Sequence, residues 1–241
     1  MSGPGAGRML VLMPLHAWVV SPARAREIQL ELRGRVELTD RLPQVRRVAG
    51  ADVGIDPARG QVIAGVVVFS FPQLEELERS WAVRPIEFPY IPGLLSFREM
   101  PVLLEAFGGL RELPDLVFYD GHGYAHPRRF GISCHLGVLL DRPAVGCAKS
   151  RLIGGYVEPA SAAGSWSPLV DKGETIGAVV RTRAGCRPIF VSIGHRISLP
   201  RAVEFTLAVC DGHRIPRPTR EADRYVRQLR QARDRRGGRS R

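Results

Sequence analysis

Three long runs of apolar and β-branched residues, "VRRVAGADVGID", "GQVIAGVVVFSF" and "ERSWAVRPIEF", follow one another between Val45 and Phe88 with only short turns between them. Turns that short let consecutive strands pair only in antiparallel fashion, so this part of the chain is expected to form a β-meander. The pattern then changes. "SFREMPVLLEAFGGL" repeats apolar residues at helical spacing, "PDLVFYD" is a short apolar run ending in Asp120, "RRFGISCHLGVLL" reads as a helix and "RPAVGCAKS" as another buried strand. Strands that alternate with helices pair in parallel and are covered on both faces. A second hairpin in "ETIGAVVRTRAGCRPIFVSIGHRIS" and helices in "SPARAREIQLELRGRVEL", "LPRAVEFTLAVC" and "TREADRYVRQLRQARD" complete the reading. The expected fold is α/β: one mixed sheet, an antiparallel three-strand meander plus parallel strands, flanked by helices. "EPASAAGSWSP" is expected to be a surface loop. A chain of 241 residues suits one domain, taken here as 21–230, after a flexible N-terminal segment 1–20 and before a basic tail 231–241.

No apolar run approaches the roughly 18 to 20 residues that cross a bilayer. The short apolar patch after Arg8 is interrupted by His16 and Trp18, with no convincing cleavage site behind it. Neither membrane insertion nor secretion is expected. Cys134, Cys147, Cys186 and Cys210 are scattered, without a C-x-x-C pair or a histidine at zinc spacing, which points away from a disulfide framework or a zinc site and toward a reducing cytoplasm. Lys plus Arg exceed Asp plus Glu by 35 − 24 = 11. A surplus of that size favours a polyanion, nucleic acid first, over a small neutral substrate. Part of it lies in the tail "RQLRQARDRRGGRSR", which is expected to be a solvated, fraying end.

Against that cationic background three acids stand out: Asp52 inside an apolar strand, Glu99 in the first turn of a helix, and Asp120 at the end of the next strand. A buried strand carboxylate is costly unless it is paired or binds a metal. If the first meander strand lies beside the strand ending at Asp120, the two acids meet at one sheet edge and Glu99 can face them. Clustered carboxylates hold Mg²⁺ together with water and substrate phosphate, and two such ions stabilise the attacking and leaving oxygens of phosphodiester hydrolysis. Taken singly, each acid also has a structural use, in a turn for Asp52, at the helix dipole for Glu99 and in an Asp-Gly turn for Asp120. "DGHGYAHPRRFG" adds Gly121 and Gly123, which allow close backbone approach, and His122, His126, Arg128 and Arg129, which suit phosphate contacts or structural roles. Lys149, at the end of the strand in "GCAKS", reaches the same edge.

"AGADVGID", "PYIPGLLSFRE", "DLVFYDGHGYAHPRRFGISCHLGVLLDRPAVGCAKSRL", "VSIGHRIS" and "IPRPTREAD", in that order and spacing, resemble the motifs of endonuclease V, the repair nuclease family that recognises deoxyinosine. The resemblance implies a ribonuclease H-like core. It also implies Mg²⁺-dependent hydrolysis, with Mn²⁺ able to substitute, of the second phosphodiester bond 3′ to the deaminated base, leaving 3′-hydroxyl and 5′-phosphate ends. It gives Asp52, Glu99 and Asp120 metal-site roles, places Asp223 of "PTREAD" where the site is completed, and makes Lys149 the active-site lysine. The "PYIP" loop becomes a wedge that enters the duplex beside the lesion. Tyr90 would stack on bases beside Ile91, Pro89 and Pro92 would stiffen the loop, and Gly93 would turn the chain toward Glu99. Arg98, Gly121, His122, Gly123 and His126 would complete the substrate site. The implied partner is inosine-containing DNA bound by a monomer, with inosine-containing RNA as the alternative. A binding module without catalysis would not gather carboxylates where they repel phosphate unless a metal bridged them.

Overall fold

The computed structural model describes residues 15–42 and 44–237. β1 (Arg47–Asp56), β2 (Gln61–Ser70) and β3 (Glu76–Pro85) form the antiparallel meander. The first turn closes through the Asp56 carboxylate, which accepts from the Arg59 amide at 3.2 Å, and through Gly60 at φ +61°. α2 (Leu95–Gly108) leads to β4 (Leu116–Tyr119), which joins β1 in parallel with Ala51 beside Tyr119. α3 (Ile132–Leu140) leads to β5 (Ala144–Ala148), parallel to β4. β6 (Trp166–Asp171), β7 (Glu174–Val180) and β8 (Ile189–His195) extend the sheet in antiparallel fashion, giving the order β3-β2-β1-β4-β5-β8-β7-β6. The mixed, helix-flanked sheet expected from the sequence is therefore found.

Alternation along β1 assigns its residues to two faces. Ala49 and Ala51 pack with residues of α2 and α3, among them Leu103 and Leu136. Val48 belongs to the opposite core, which includes Phe205 of α4 (Leu199–Ala208) and Ala222, Tyr225 and Leu229 of α5 (Arg217–Gly237). α1 (Pro22–Arg33) covers the α2–α3 layer with Ala25, Ile28 and Leu32. Asp52 shares its face with Gly50 and Gly54, and on that face α5 lies directly on the sheet. A Cβ on Gly50 would sit 2.0 Å from the Pro218 carbonyl carbon, and one on Gly54 2.6 Å from Val226 Cγ1. This bare strip brings Asp223 of α5 into electrostatic range of Asp52.

Several local expectations change. "EPASAAGSWSP" is a loop only as far as Ser165, because β6 begins at Trp166 and runs through Pro168. As the outermost strand, β6 needs ladder bonds on one side only, so it tolerates serine and proline and carries little strand signal in its sequence. Glu99 lies beyond the first turn of α2, which starts at Leu95 and has no acidic residue there, so the helix dipole is not what holds it. The basic end is helical to Gly237 and docked on the meander, where Arg59 meets Asp234 at 2.8 Å and Arg233 meets Gln61 at 2.5 Å. Most of the N-terminal segment expected to be flexible lies outside the described residues. Its last part packs inward, with Trp18 against Phe97 and His135 and with His16 Nε2 2.8 Å from His135 Nε2. Among the described residues no helix is long and apolar enough to cross a membrane.

Candidate active site

β4 stops at Tyr119 while β1 runs on to Asp56, so Asp52 and Asp120 stand where the two strands part. The β2 partner of Asp52 is Gly65, where a Cβ would meet Val226 Cγ2 at 2.8 Å, so α5 packs against the sheet beside the carboxylate. The Asp52 carboxyl is pushed up to about 7, first by burial and then by the charges of Asp120 and Asp223, with Lys149 opposing them. Glu99 approaches from α2 and is only 7% exposed. Its carboxyl is pushed up to about 8, chiefly by burial, with Asp52 and Asp120 adding to the shift and a 2.5 Å hydrogen bond from the Tyr119 hydroxyl opposing it. By these charge effects Asp52 lies within electrostatic range of Asp120 and Asp223, and Glu99 within range of Asp52 and Asp120. Lys149, the residue after β5, donates to the Asp120 carboxylate. Burial alone would lower its pKa, but the Asp120 bond and the charges of Asp120, Asp223 and Asp52 raise it overall.

Such a set of oxygen donors suits a hard divalent cation. As they stand the carboxylates are held by protein partners: Asp120 by Lys149, Glu99 by Tyr119 and Asp223 by Arg227. Among the described residues no three His, Cys, Asp or Glu groups converge closely enough to grip an ion. The charge effects show that these acids sense one another, not that their oxygens already converge on one point. Burial is the first cause of both raised carboxyls, and Lys149 opposes the shift of Asp52. The Asp223–Arg227 pair is largely exposed on its arginine side and so is weak and easily released. The residues fit a divalent ion once Asp120 and Asp223 turn away from their cationic partners.

Next to this edge lies a cavity of about 170 Å³ whose wall includes Gln29, Tyr90, Ser96, Gly121, His122 and Leu152. The proline loop forms its rim. Ile91 packs in the cluster with Phe88 and Phe97, whereas Tyr90 is 65% exposed, so core packing accounts for the isoleucine and not for the tyrosine. Pro89 and Pro92 are exposed on the same loop. Gly93 adopts φ +79°, and its carbonyl accepts from Gln29 Nε2 at 3.0 Å, Arg128 Nη2 at 2.7 Å and His126 Nε2 at 3.1 Å. Burial and the nearby Arg128 charge push His126 down to about 4. It is therefore neutral near pH 7, donating through Nε2 and accepting the Arg128 amide at Nδ1 over 3.2 Å.

His126, which also lines the cavity, Arg128 and Arg129 all form internal bonds here. Arg128 also donates to Gln29 Oε1 at 2.5 Å, and Arg129 to Glu174 at 2.7 Å and Asp171 at 2.8 Å. Gly123 does permit a close approach, but to protein, because a Cβ there would lie 2.1 Å from the Ile193 carbonyl oxygen. Arg98 stands outside the cavity wall and acts on Glu99 through its charge. Two buried polar atoms of wall residues, Ser96 Oγ and His122 Nδ1, have no partner among the described residues. His122 Nε2 faces the Ser150 carbonyl at 3.0 Å and burial lowers the ring's pKa, so the neutral imidazole donates there and presents Nδ1 as an acceptor.

Gln29, Ser96, Tyr119 and Leu152 are site residues that the sequence reading missed. Gln29 carried the clearest signal, as the one polar position on the buried face formed by Ala25, Ile28 and Leu32. It also ties the loop to the Phe130 carbonyl at 3.1 Å. Gln29→Leu keeps much of the volume but removes these bonds from buried acceptors. It is expected to cost about 1 to 3 kcal/mol in thermal or denaturant unfolding, and an unchanged unfolding midpoint would show that the clamp is dispensable.

The family profile for endonuclease V matches residues 30–224. The chain belongs to the endonuclease V family. The family member from Roseiflexus sp. strain RS-1 is 50% identical over 206 residues, 86% of this chain and 92% of that one. The crystal structure of endonuclease V from Streptomyces avermitilis superposes with a TM-score of 0.86 at 42% identity, covering 92% of this chain and 99% of the other. Endonuclease V from Ciona intestinalis, solved with a 24-nucleotide DNA containing an inosine followed by a ribo-adenosine, matches with a TM-score of 0.77 at 27% identity over 87% of this chain and 98% of that one. As a member of the endonuclease V family the chain is a nuclease on a ribonuclease H-like sheet.

Proposed function

We propose that this protein recognises inosine in DNA and hydrolyses the second phosphodiester bond on its 3′ side, acting as a cytoplasmic monomer with Mg²⁺, or Mn²⁺ in its place, held by Asp52, Glu99, Asp120 and Asp223. The observation that carries the reading is one of adjacency. Asp120, at the carboxylate edge, is followed directly by Gly121 and His122 in the cavity wall, so a base seated in the cavity has its own backbone beside the carboxylates. The inosine-containing DNA bound to the Ciona relative supports this choice of base. The bound ion would supply an activated water and offset charge on the phosphate oxygens. Lys149, released from Asp120, is placed to face the phosphate. His122 Nδ1 offers an acceptor and Ser96 Oγ a donor or acceptor to the edge of a flipped base, which also excludes water from the cavity. The clamped loop keeps Tyr90 presented to the stack at low ordering cost.

Cleavage of inosine-containing oligonucleotides in Mg²⁺, Mn²⁺, Ca²⁺ and chelator tests the proposal, with incision expected in the first two only. Ca²⁺ should support binding with little turnover, because it prefers longer and looser coordination. Incision in chelator at the Mg²⁺ rate would remove the metal role. Tyr90→Ala should weaken binding to inosine duplexes by about 1 to 3 kcal/mol of lost stacking, with a smaller defect on single-stranded inosine DNA, where less opening is needed. Tyr90→Phe should retain most of the affinity. A Tyr90→Ala protein that binds and cuts the duplex like its parent would end the wedge reading.

A further inference from the structure

A second groove, of about 200 Å³, has Lys149 in its wall together with Tyr156, Glu158, Arg187 and Arg214. Lys149, bonded to Asp120, lines this groove while Leu152, three residues on, lines the base cavity, so both depressions border the segment that carries the lysine. The charge in the groove is one-sided. Among the described residues Arg214 donates only to carbonyl oxygens, those of Arg187 at 2.8 Å and of Lys149 and Pro188 at 3.0 Å, which fixes its guanidinium without neutralising it. Among the described residues neither Arg187 nor the neighbouring Arg151 forms an ion pair, and the one acid in the wall, Glu158, is bonded to Arg181 at 2.6 Å. In the same groove Tyr156 is 37% exposed, oriented edge-on against Phe190 with ring centroids 5.6 Å apart, and the Arg151 guanidinium lies over one face of its ring, 5.8 Å from the centre, leaving the other face for a base. Unneutralised cations beside a half-exposed aromatic ring are the components of a single-strand nucleic-acid track: charge for the backbone and a face for a base.

We propose that this groove holds the substrate strand beyond the scissile phosphate, on the side away from the base cavity, with Tyr156 stacking on a base and Arg151, Arg187 and Arg214 facing phosphates. The proposal rests on the assignment of the first cavity to the inosine base. It makes affinity depend on how far the strand continues past the cut, a property that the carboxylate edge and the wedge do not confer.

The test is binding by fluorescence anisotropy in Ca²⁺, using single-stranded inosine oligonucleotides that end either two or seven nucleotides 3′ of the inosine, so that both contain the scissile phosphate. The parent protein should bind the longer strand about tenfold or more tightly, in line with one stacked base and added phosphate contacts. Tyr156→Ala and Arg187→Glu should each lose most of that gain, while binding of the shorter strand changes by less than about twofold on the same grounds. The gain in the parent should also shrink with added salt. A gain retained in full by both variants, an equal loss on both lengths, or no gain in the parent would overturn the track. The same titrations with adenine in place of inosine examine the cavity separately. Equal binding of the two bases by the parent would sink the inosine reading, while the length dependence would still be read on either strand.

Discussion

Asp52→Asn is expected to abolish cleavage of inosine DNA, by about a thousandfold or more, because about 4 kcal/mol of charge stabilisation at the phosphate goes with the lost ligand. The same substitution should stabilise the metal-free protein. The Asp52 carboxyl sits at about 7 in the fold against its ordinary 3.8, so the native state holds this proton more tightly than the unfolded chain does. Below 3.8 the group is protonated in both states and asparagine changes little. As pH rises through about 7 the parent carries a buried charge that the unfolded chain bears without cost, and stability is lost. In chelator, the melting temperature of the variant should therefore exceed that of the parent at pH 8, and the excess should shrink toward pH 4. Mg²⁺ should reverse the order at pH 8, because the parent alone gains fully from binding. A variant that melts below its parent at pH 8 in chelator, or that cleaves at the parental rate, would falsify the placement of Asp52.

Gly50→Ala should be the most damaging small substitution in the sheet. Its new methyl group would lie 2.0 Å from both the carbon and the oxygen of the Pro218 carbonyl, main-chain atoms that cannot rotate away. The start of α5 must lift off β1, and the cost should be at least about 3 kcal/mol. At about 2 to 4 °C for each kcal/mol in a chain of this size, the melting temperature should fall by about 6 °C or more. Because α5 carries Asp223, the molecules that remain folded should also bind Mg²⁺ more weakly and cut more slowly. Gly34→Ala is the matched control. Gly34 has φ −66° and ψ −12° and no neighbour within 4 Å of its would-be Cβ, so alanine there should change stability by less than about 0.5 kcal/mol. Similar melting of the two variants would show that α5 does not rest on the glycine strip.

Local periodicity made most of the fold legible. The three meander strands, the apolar strand before Asp120 and the helices around it all announce themselves within about ten residues, because alternation and helical spacing depend on which side of an element is buried. Elements whose neighbours do not demand burial were the ones lost, as with β6, an outer strand containing Pro168. The candidate acids were legible for a related reason. A charged residue in or at the end of an apolar run is conspicuous: Asp52 interrupts one and Asp120 ends another.

Roles that depend on a partner supplied by another element were not legible. Nothing near His126 or Arg128 in the chain says that the Gly93 carbonyl will take a hydrogen bond from each of them, so their polarity suggested phosphate. Nothing near Gln29 says that it will clamp a loop more than sixty residues away, nor does the chain around Tyr119 say that its hydroxyl will meet Glu99 at 2.5 Å. Tyr90 and Ile91 are adjacent and equally apolar in outline, yet packing buries the second and leaves the first outside. The sequence by itself determined the order of strands and helices, the acids at the ends and interruptions of strands, and the family to which those motifs belong. The tertiary structure alone decided which polar groups are consumed within the protein, which remain open to a ligand, and that the Asp52 and Glu99 carboxyls are raised, because hydrogen-bond satisfaction and desolvation are set by the neighbours a residue meets in space.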